Sequence, residues 1–167
     1  MGAAIVGLKL GDRGLYLRTA DSPGRLAVLA GLLPADLLAP HPAGQVGLLP
    51  ADLTGWVGRE LYAPCFRVKV AGTTGAGDCA YAGLLAGLLY GQSIEAVLLS
   101  SAATGACGVE RADATSGVPH WDDVQARLRA GWARHPVALD LPGWQTNADA
   151  TIWYGPADRS HREEPTL

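Results

Sequence analysis

Residues 73–91 read TTGAGDCAYAGLLAGLLYG, and this stretch decides how the rest of the chain is understood. Gly75, Ala76 and Gly77 crowd against a single carboxylate, Asp78, before a run of leucines that carries no charge. The run predicts a helix from about Gly77 to Tyr90, stopped by Gly91, a residue suited to the left-handed conformation at a helix end. A glycine-rich turn that opens a helix leaves backbone N–H groups pointing outward, where the helix dipole adds to their attraction for anions. Small residues at 75–77 allow close approach.

Working outward, LYAPCFRVKV (61–70) alternates after Pro64 and predicts a strand leading into the turn. AAIVGLKL (3–10) is a continuous branched apolar run, the pattern of a strand buried on both faces. GDRG then turns the chain and LYLRT returns it as a hairpin, with a glycine at each end of the turn. From Asp21 to Leu53 proline and glycine dominate, so loops surround one short element at LAVLAGLL. After Gly91, Ser93 caps a second helix that reaches about Val109, with Glu95 in its first turn. Both helices are apolar nearly all round, which predicts interior positions. HWDDVQARLRAGWARH (120–135) reads as a surface helix with acids first and arginines last. Residues 136–167 lose periodicity; Trp144, Trp153 and Tyr154 are candidates to dock, while the last ten residues look frayed. There is no internal repeat, and the strand, turn, helix order gives an α/β class.

The bulk properties agree with one folded domain. The chain has 167 residues, 49% of them hydrophobic and 17% charged, which excludes disorder. A formal net charge of −3 gives no reason to expect nucleic acid or an anionic membrane as partner. Cys65, Cys79 and Cys107 form no CxxC pair and suggest neither a disulfide framework nor a zinc site, so a reducing cytoplasm fits. No signal peptide is recognised at the start, and Gly91-Gln92-Ser93 breaks the uncharged stretch before the ~20 residues of a spanning helix.

Asp78 beside an anion site looks self-defeating unless it handles a proton. In phosphoryl transfer a carboxylate next to the accepting hydroxyl can take its proton, while amides of residues 75–78 hold the phosphoryl oxygens. The plainer reading is a helix N-terminal carboxylate that contributes ~0.3–1 kcal/mol through the dipole. Gly11 and Gly14 have the alternative of a hairpin turn that needs positive φ. Lys9 has that of an amine extended to solvent, and Cys79 that of a small core residue. His41, His120, His135 and His161 stand singly with no ligand spacing. GTTGAG lacks the Lys-Ser/Thr ending of a P-loop. It also lacks the G-x-G-x-x-G order and following acid of a dinucleotide-binding oxidoreductase, a weaker alternative. A non-catalytic nucleotide-binding or interaction module is the other alternative.

GTTGAGDCAYAGLLAGLL (72–89) resembles the signature of the ribokinase-like, or PfkB, carbohydrate kinases, D-T-x-G-A-G-D followed by an apolar helix. VGLKLGDRGLYL (6–17) is similar to that family's strand and turn beside the nucleotide phosphates, and SAATGACGVERADATSGVP (101–119) to its helix and loop near the adenine. The resemblance covers about residues 2–128. It implies a ribokinase-like three-layer α/β/α sandwich and ATP-dependent phosphoryl transfer to a hydroxyl of a sugar or nucleoside. Asp78 would be the catalytic base, and Gly75, Ala76 and Gly77 the anion hole. Lys9, Gly11, Gly14 and Thr74 would lie near the ATP phosphates, with Mg2+ bridging phosphate oxygens and no protein metal site. The backbone of 102–108 would border the adenine. Gly72 stands where the family motif has its first Asp, which helps hold the ion in members activated by a monovalent cation, so that dependence is not carried over. Met1 directly precedes a strand that is mid-protein in the family. Residues 1–135 are therefore expected to be its C-terminal nucleotide-binding and catalytic portion, and 136–167 an irregular extension. The half with the lid and most sugar contacts would be absent, leaving an exposed sheet edge and a tendency to self-associate.

Overall fold

A computed structural model describes residues 2–31, 54–137 and 141–161. The expected hairpin is present: β1 (Ile5–Lys9) pairs antiparallel with β2 (Leu15–Thr19), Ile5 opposite Thr19 and Lys9 opposite Leu15. A 3-10 turn at Gly11–Arg13 joins them, and Gly11 (φ +63°) and Gly14 (φ +123°) supply the positive φ that ordinary side chains resist. In β2 the alternation is clean, with Leu15, Leu17 and Thr19 buried and Arg18 exposed. In β1 the expectation of burial on both faces fails. Among the described residues it is an edge strand, and Val6 and Leu8 on its outer face are 38% and 49% exposed.

The strand expected over 61–70 is shorter and earlier, β3 at Glu60–Ala63, antiparallel to β2. Pro64 has no N–H to continue the ladder, and beyond it only Phe66 forms an isolated bridge, to Arg134. Within the stretch read as aperiodic, β4 (Gln145–Thr146) and β5 (Trp153–Tyr154) join the sheet. Its order is β1-β2-β3-β5-β4, and every pairing is antiparallel. The architecture mixes helices with a five-stranded antiparallel sheet.

Among the described residues four helices accompany the sheet: α1 (Pro23–Gly31), α2 (Ala76–Leu89), α3 (Ile94–Gly108) and α4 (Trp121–Arg129). α1 falls on the short element expected near LAVLAGLL, and the rest of that expectation, residues 32–53, lies outside the described residues. Gly91 (φ +61°) ends the α2 turn, and the Ser93 side chain accepts from Ala96 N–H to cap α3, both as expected. α3 lies in the interior, with Val97, Leu98 and Ala103 inaccessible. α2 is only half interior: Leu84 is buried, whereas Leu85 is 58% exposed. α4 ends at Arg129 rather than 135, because Gly131 (φ +81°) turns the chain.

The main core joins Leu15, Leu17, Leu61 and Ala63 of the sheet to Leu26, Leu84, Ile94, Val97 and Leu98 of the helices. Burying each of the leucine, isoleucine and valine side chains stabilises by about 1.5–3 kcal/mol. α2 and α3 cross closely, since a Cβ at Gly83 would lie 2.5 Å from Thr104 Oγ1 and one at Gly105 3.0 Å from Ala80 Cβ. Residues 152–160 are fastened by an ion pair. The Nε of buried Arg59 donates to both carboxylate oxygens of Asp158 at 3.1 Å, and its Nη2 reaches Glu95 at 2.6 Å. Burial works to lower the Arg59 pKa, but Glu95 and Asp158 raise it above its ordinary value. Among the described residues no helix is long and apolar enough to cross a membrane.

Candidate functional site

The glycine turn enters α2 as anticipated. Gly75 is its N-cap in the left-handed region (φ +73°), and no side chain caps the helix. Ala76 N–H turns back to Thr73 C=O at 3.3 Å, and Cys79 N–H makes the first full helical bond, to Gly75 C=O. Among the described residues, the N–H groups of Gly75, Gly77 and Asp78 have no acceptor. Free donors at the positive end of a 14-residue helix form a local field that favours an anion.

The loop after α3 packs behind this turn. Ala71 N–H donates to Val109 C=O at 2.8 Å, and a Cβ at Gly75 would lie 2.6 Å from Ala114 O. The loop is braced by Asp113, which accepts from the N–H groups of Thr115 and Ser116 and from the Ser116 hydroxyl. These bonds hold the Asp113 carboxyl down to about 2. A Cβ at Gly72 would stand 2.9 Å from the Ala112 backbone, so an aspartate there would displace the same loop.

Lys9 comes from the end of β1, 68 positions earlier than Gly77 by the numbering, yet its ammonium stands where a Gly77 Cβ would be. It lies 4.7 Å from the centre of the Tyr81 ring and has no carboxylate within 4.0 Å among the described residues. A cation beside the positive end of a helix repels it, and a bound anion would relieve both charges. Asp78, in the first turn of α2, is exposed and makes no hydrogen bond or ion pair to a described residue. Its carboxylate is open to solvent at the mouth of the turn.

Beside the turn lies a cavity of about 390 Å³. Lys9, Gly11, Gly14, Ala76 and Gly77 line it; Gly75 and Asp78 stand outside its wall, and Thr73 rather than Thr74 faces it. Ala102, Gly105, Ala106 and Val109 form one apolar wall. Phe66, Val68 and Val70 form the other. The alternation of FRVKV held their signal, but the segment is an extended lining rather than a strand. His135 and Cys65 also border the cavity and carried no signal of their own. Cys65 donates through sulfur to Gly11 C=O at 3.3 Å, and burial pushes its thiol pKa up. Cys79 is buried and its thiol is likewise raised by burial, as suits a core residue rather than a nucleophile. A second hollow of about 490 Å³, near Arg18 and Arg25 at the opposite end of the hairpin, contains none of the anticipated residues.

Gly11 and Gly14 separate by environment. A Cβ at Gly11 meets nothing within 4 Å, whereas one at Gly14 would overlap Ala63 O. Gly14 is therefore required by packing, and Gly11 by its turn alone.

Residues 52–121 match the family model described as pfkB family carbohydrate kinase. The matched span holds the 75–78 turn, α2 and α3, and stops short of Lys9, Gly11 and Gly14. No curated protein matches the chain.

Proposed function

We propose that this chain, a member of the pfkB family of carbohydrate kinases through residues 52–121, binds ATP in the cavity between α3 and the Phe66–Val70 lining and directs its phosphates to the 75–78 turn. The observation that carries this reading is the set of open N–H groups of Gly75, Gly77 and Asp78 beside an apolar cavity, with Lys9 held over Gly77. An apolar slot suits a purine face, and oriented donors suit phosphoryl oxygens. Thr74, exposed one residue before the turn and outside the cavity wall, would have to meet the same phosphates from the solvent side.

Asp78 is the general base in this reading. Its free carboxylate would accept the proton of a sugar or nucleoside hydroxyl as that oxygen attacks the γ-phosphorus and the bond to the β–γ bridging oxygen breaks, ADP leaving with the electron pair, while the turn amides hold the charge that spreads over the phosphoryl oxygens. In this reading Mg2+ is held by phosphate oxygens and water. Bound there, the ion would neutralise phosphate charge. The crowding of Gly72 against Ala112 gives no room for an acid that would help hold a monovalent cation. In fold terms, the core that joins α2 and α3 to the sheet would be a portion of a ribokinase-like three-layer sandwich. Residues 1–135 would form its nucleotide-binding portion, extended by 136–167.

The test compares MgATP with NAD in calorimetry, then assays phosphoryl transfer to a panel of sugars and nucleosides. Binding of MgATP but not NAD is expected, and Asp78→Asn should cut turnover at least about 100-fold while leaving ATP affinity within about threefold. Stabilisation by NAD alone would replace the kinase reading with a dinucleotide one. Unchanged turnover in Asp78→Asn would remove Asp78 from the chemistry.

A further inference from the structure

Tyr81 links the two elements that carry the candidate phosphate site. It sits on α2 one turn beyond Gly77 and Asp78, with its ring 4.7 Å from Lys9 Nζ and its hydroxyl donating to Gly7 C=O at 2.9 Å. The bonds Ala20 N–H to Ala4 C=O and Leu10 N–H to Gly14 C=O turn the even-numbered residues of β1 toward β2. In an antiparallel pair the odd-numbered residues then direct N–H and C=O to the open edge. Gly7 C=O is one of these, and the Tyr81 hydroxyl satisfies it. The same side chain thus grips the backbone of β1 two residues before Lys9 and lies against the ammonium of Lys9 itself.

An exposed lysine samples many rotamers, and each one that moves Nζ away from Gly77 weakens its attraction for a phosphate. A tyrosine face attracts the ammonium through the ring quadrupole, and a hydroxyl fastened to Gly7 keeps that face in register with β1. We propose that Tyr81 is a positioning residue, holding Lys9 Nζ against the Gly77 α-carbon, beside the open N–H groups, so that cation and amides meet the same phosphate oxygens. The proposal rests on the reading of this turn as the nucleotide-phosphate site.

Two measurements test it. In protein with 13C-labelled lysine, the Lys9 ε-CH2 protons should resonate upfield in the ring current of Tyr81. Tyr81→Leu should abolish that shift and Tyr81→Phe keep most of it, because Phe retains the ring and loses only the bond to Gly7. In calorimetry Tyr81→Leu should raise the Kd for MgATP and for inorganic triphosphate roughly two- to fivefold. Tyr81→Phe should raise it less, and Tyr81→Leu should add nothing further in a Lys9→Met background. A Lys9 signal with no ring-current shift in the wild-type chain overturns the proposal even if MgATP binds. So does a Tyr81→Leu loss that is equal with and without Lys9. If the shift is present but the wild-type chain binds neither MgATP nor triphosphate, it is the phosphate reading that fails, and the role of Tyr81 in it falls too.

Discussion

Replacing Asp158 with alanine should be among the most damaging single changes in the chain, although the residue lies far in sequence from the glycine turn. Its side chain is fully buried, and its carboxylate receives Arg59 Nε at 3.1 Å on both oxygens, Glu60 N–H at 2.8 Å and Ser160 N–H at 2.9 Å. Breaking a buried pair by removing one partner costs about 3–5 kcal/mol, because a charge is left uncompensated. Here Arg59 keeps Glu95 at 2.6 Å and Gly55 C=O at 2.8 Å, so the charge itself is not orphaned and the lower end applies. The abandoned Glu60 N–H, inside the sheet, adds about 1 kcal/mol or more. We expect a loss of about 3–4 kcal/mol, or a fall in Tm of roughly 6–16 °C for a domain of this size. Asp158→Asn should lose nearly as much, since its amide would set an NH2 against donors. Urea and thermal unfolding give the magnitude, and a double-mutant cycle with Glu95→Gln tests the reason. Removing both carboxylates leaves Arg59 buried without an acid, so the double variant should lose more than the sum of the singles. A loss below about 1 kcal/mol in Asp158→Ala, or strict additivity with Glu95→Gln, would refute the reasoning.

Three further outcomes follow from the same geometry. Gly14→Ala should destabilise by about 2–4 kcal/mol through its φ of +123° and overlap with Ala63, and Gly11→Ala by only about 1–2, because its φ of +63° opens to empty space; equal losses in chemical denaturation would contradict this. Ala102→Phe should place its ring in the cavity, weakening MgATP at least about tenfold while changing stability by less than about 1 kcal/mol, whereas an overpacking cost of about 1–3 kcal/mol with binding intact would mean that the cavity is not there to receive it. The hydrogen bond and charge of Arg127, 2.6 Å from Glu110, lower the Glu110 pKa from 4.5. That contribution is full above the ordinary carboxylate pKa and is lost as pH falls through the lowered one. For this half-exposed pair it is worth about 0.2–1 kcal/mol. Glu110→Gln should therefore lose stability at pH 7 but converge with the wild type near pH 2, and a constant gap across that range would remove the pair from the ledger.

Where reading the sequence succeeded, the information was local. Gly91 ends α2, Ser93 caps α3, and Gly11 and Gly14 bracket the hairpin turn, because positive φ and a side-chain cap are requirements of a few neighbouring residues. The glycine turn at 75–78 announced a set of open amides for the same reason, since a helix start without a capping side chain leaves donors bare whatever else surrounds it. Where it failed, the deciding partner was remote. β1 reads as doubly buried from its branched residues, but burial depends on what lies beside a strand, and among the described residues only β2 pairs with it. Pro64 cut short a strand whose alternation continued through Val70, since the missing N–H matters only once a neighbouring strand asks for it.

The amino-acid sequence by itself determined the hairpin, the glycine turn, the caps and breaks of the helices, and so the residues from which an anion site could be made. Only the tertiary structure decided that Lys9 stands over Gly77, that Tyr81 reaches back to Gly7, that Phe66 and Ala106 face one cavity, and that Asp158 closes on Arg59. Local conformational preferences act over a few residues and are written in them. Contacts between residues tens of positions apart are fixed by the joint burial of many side chains, and no short stretch carries that sum.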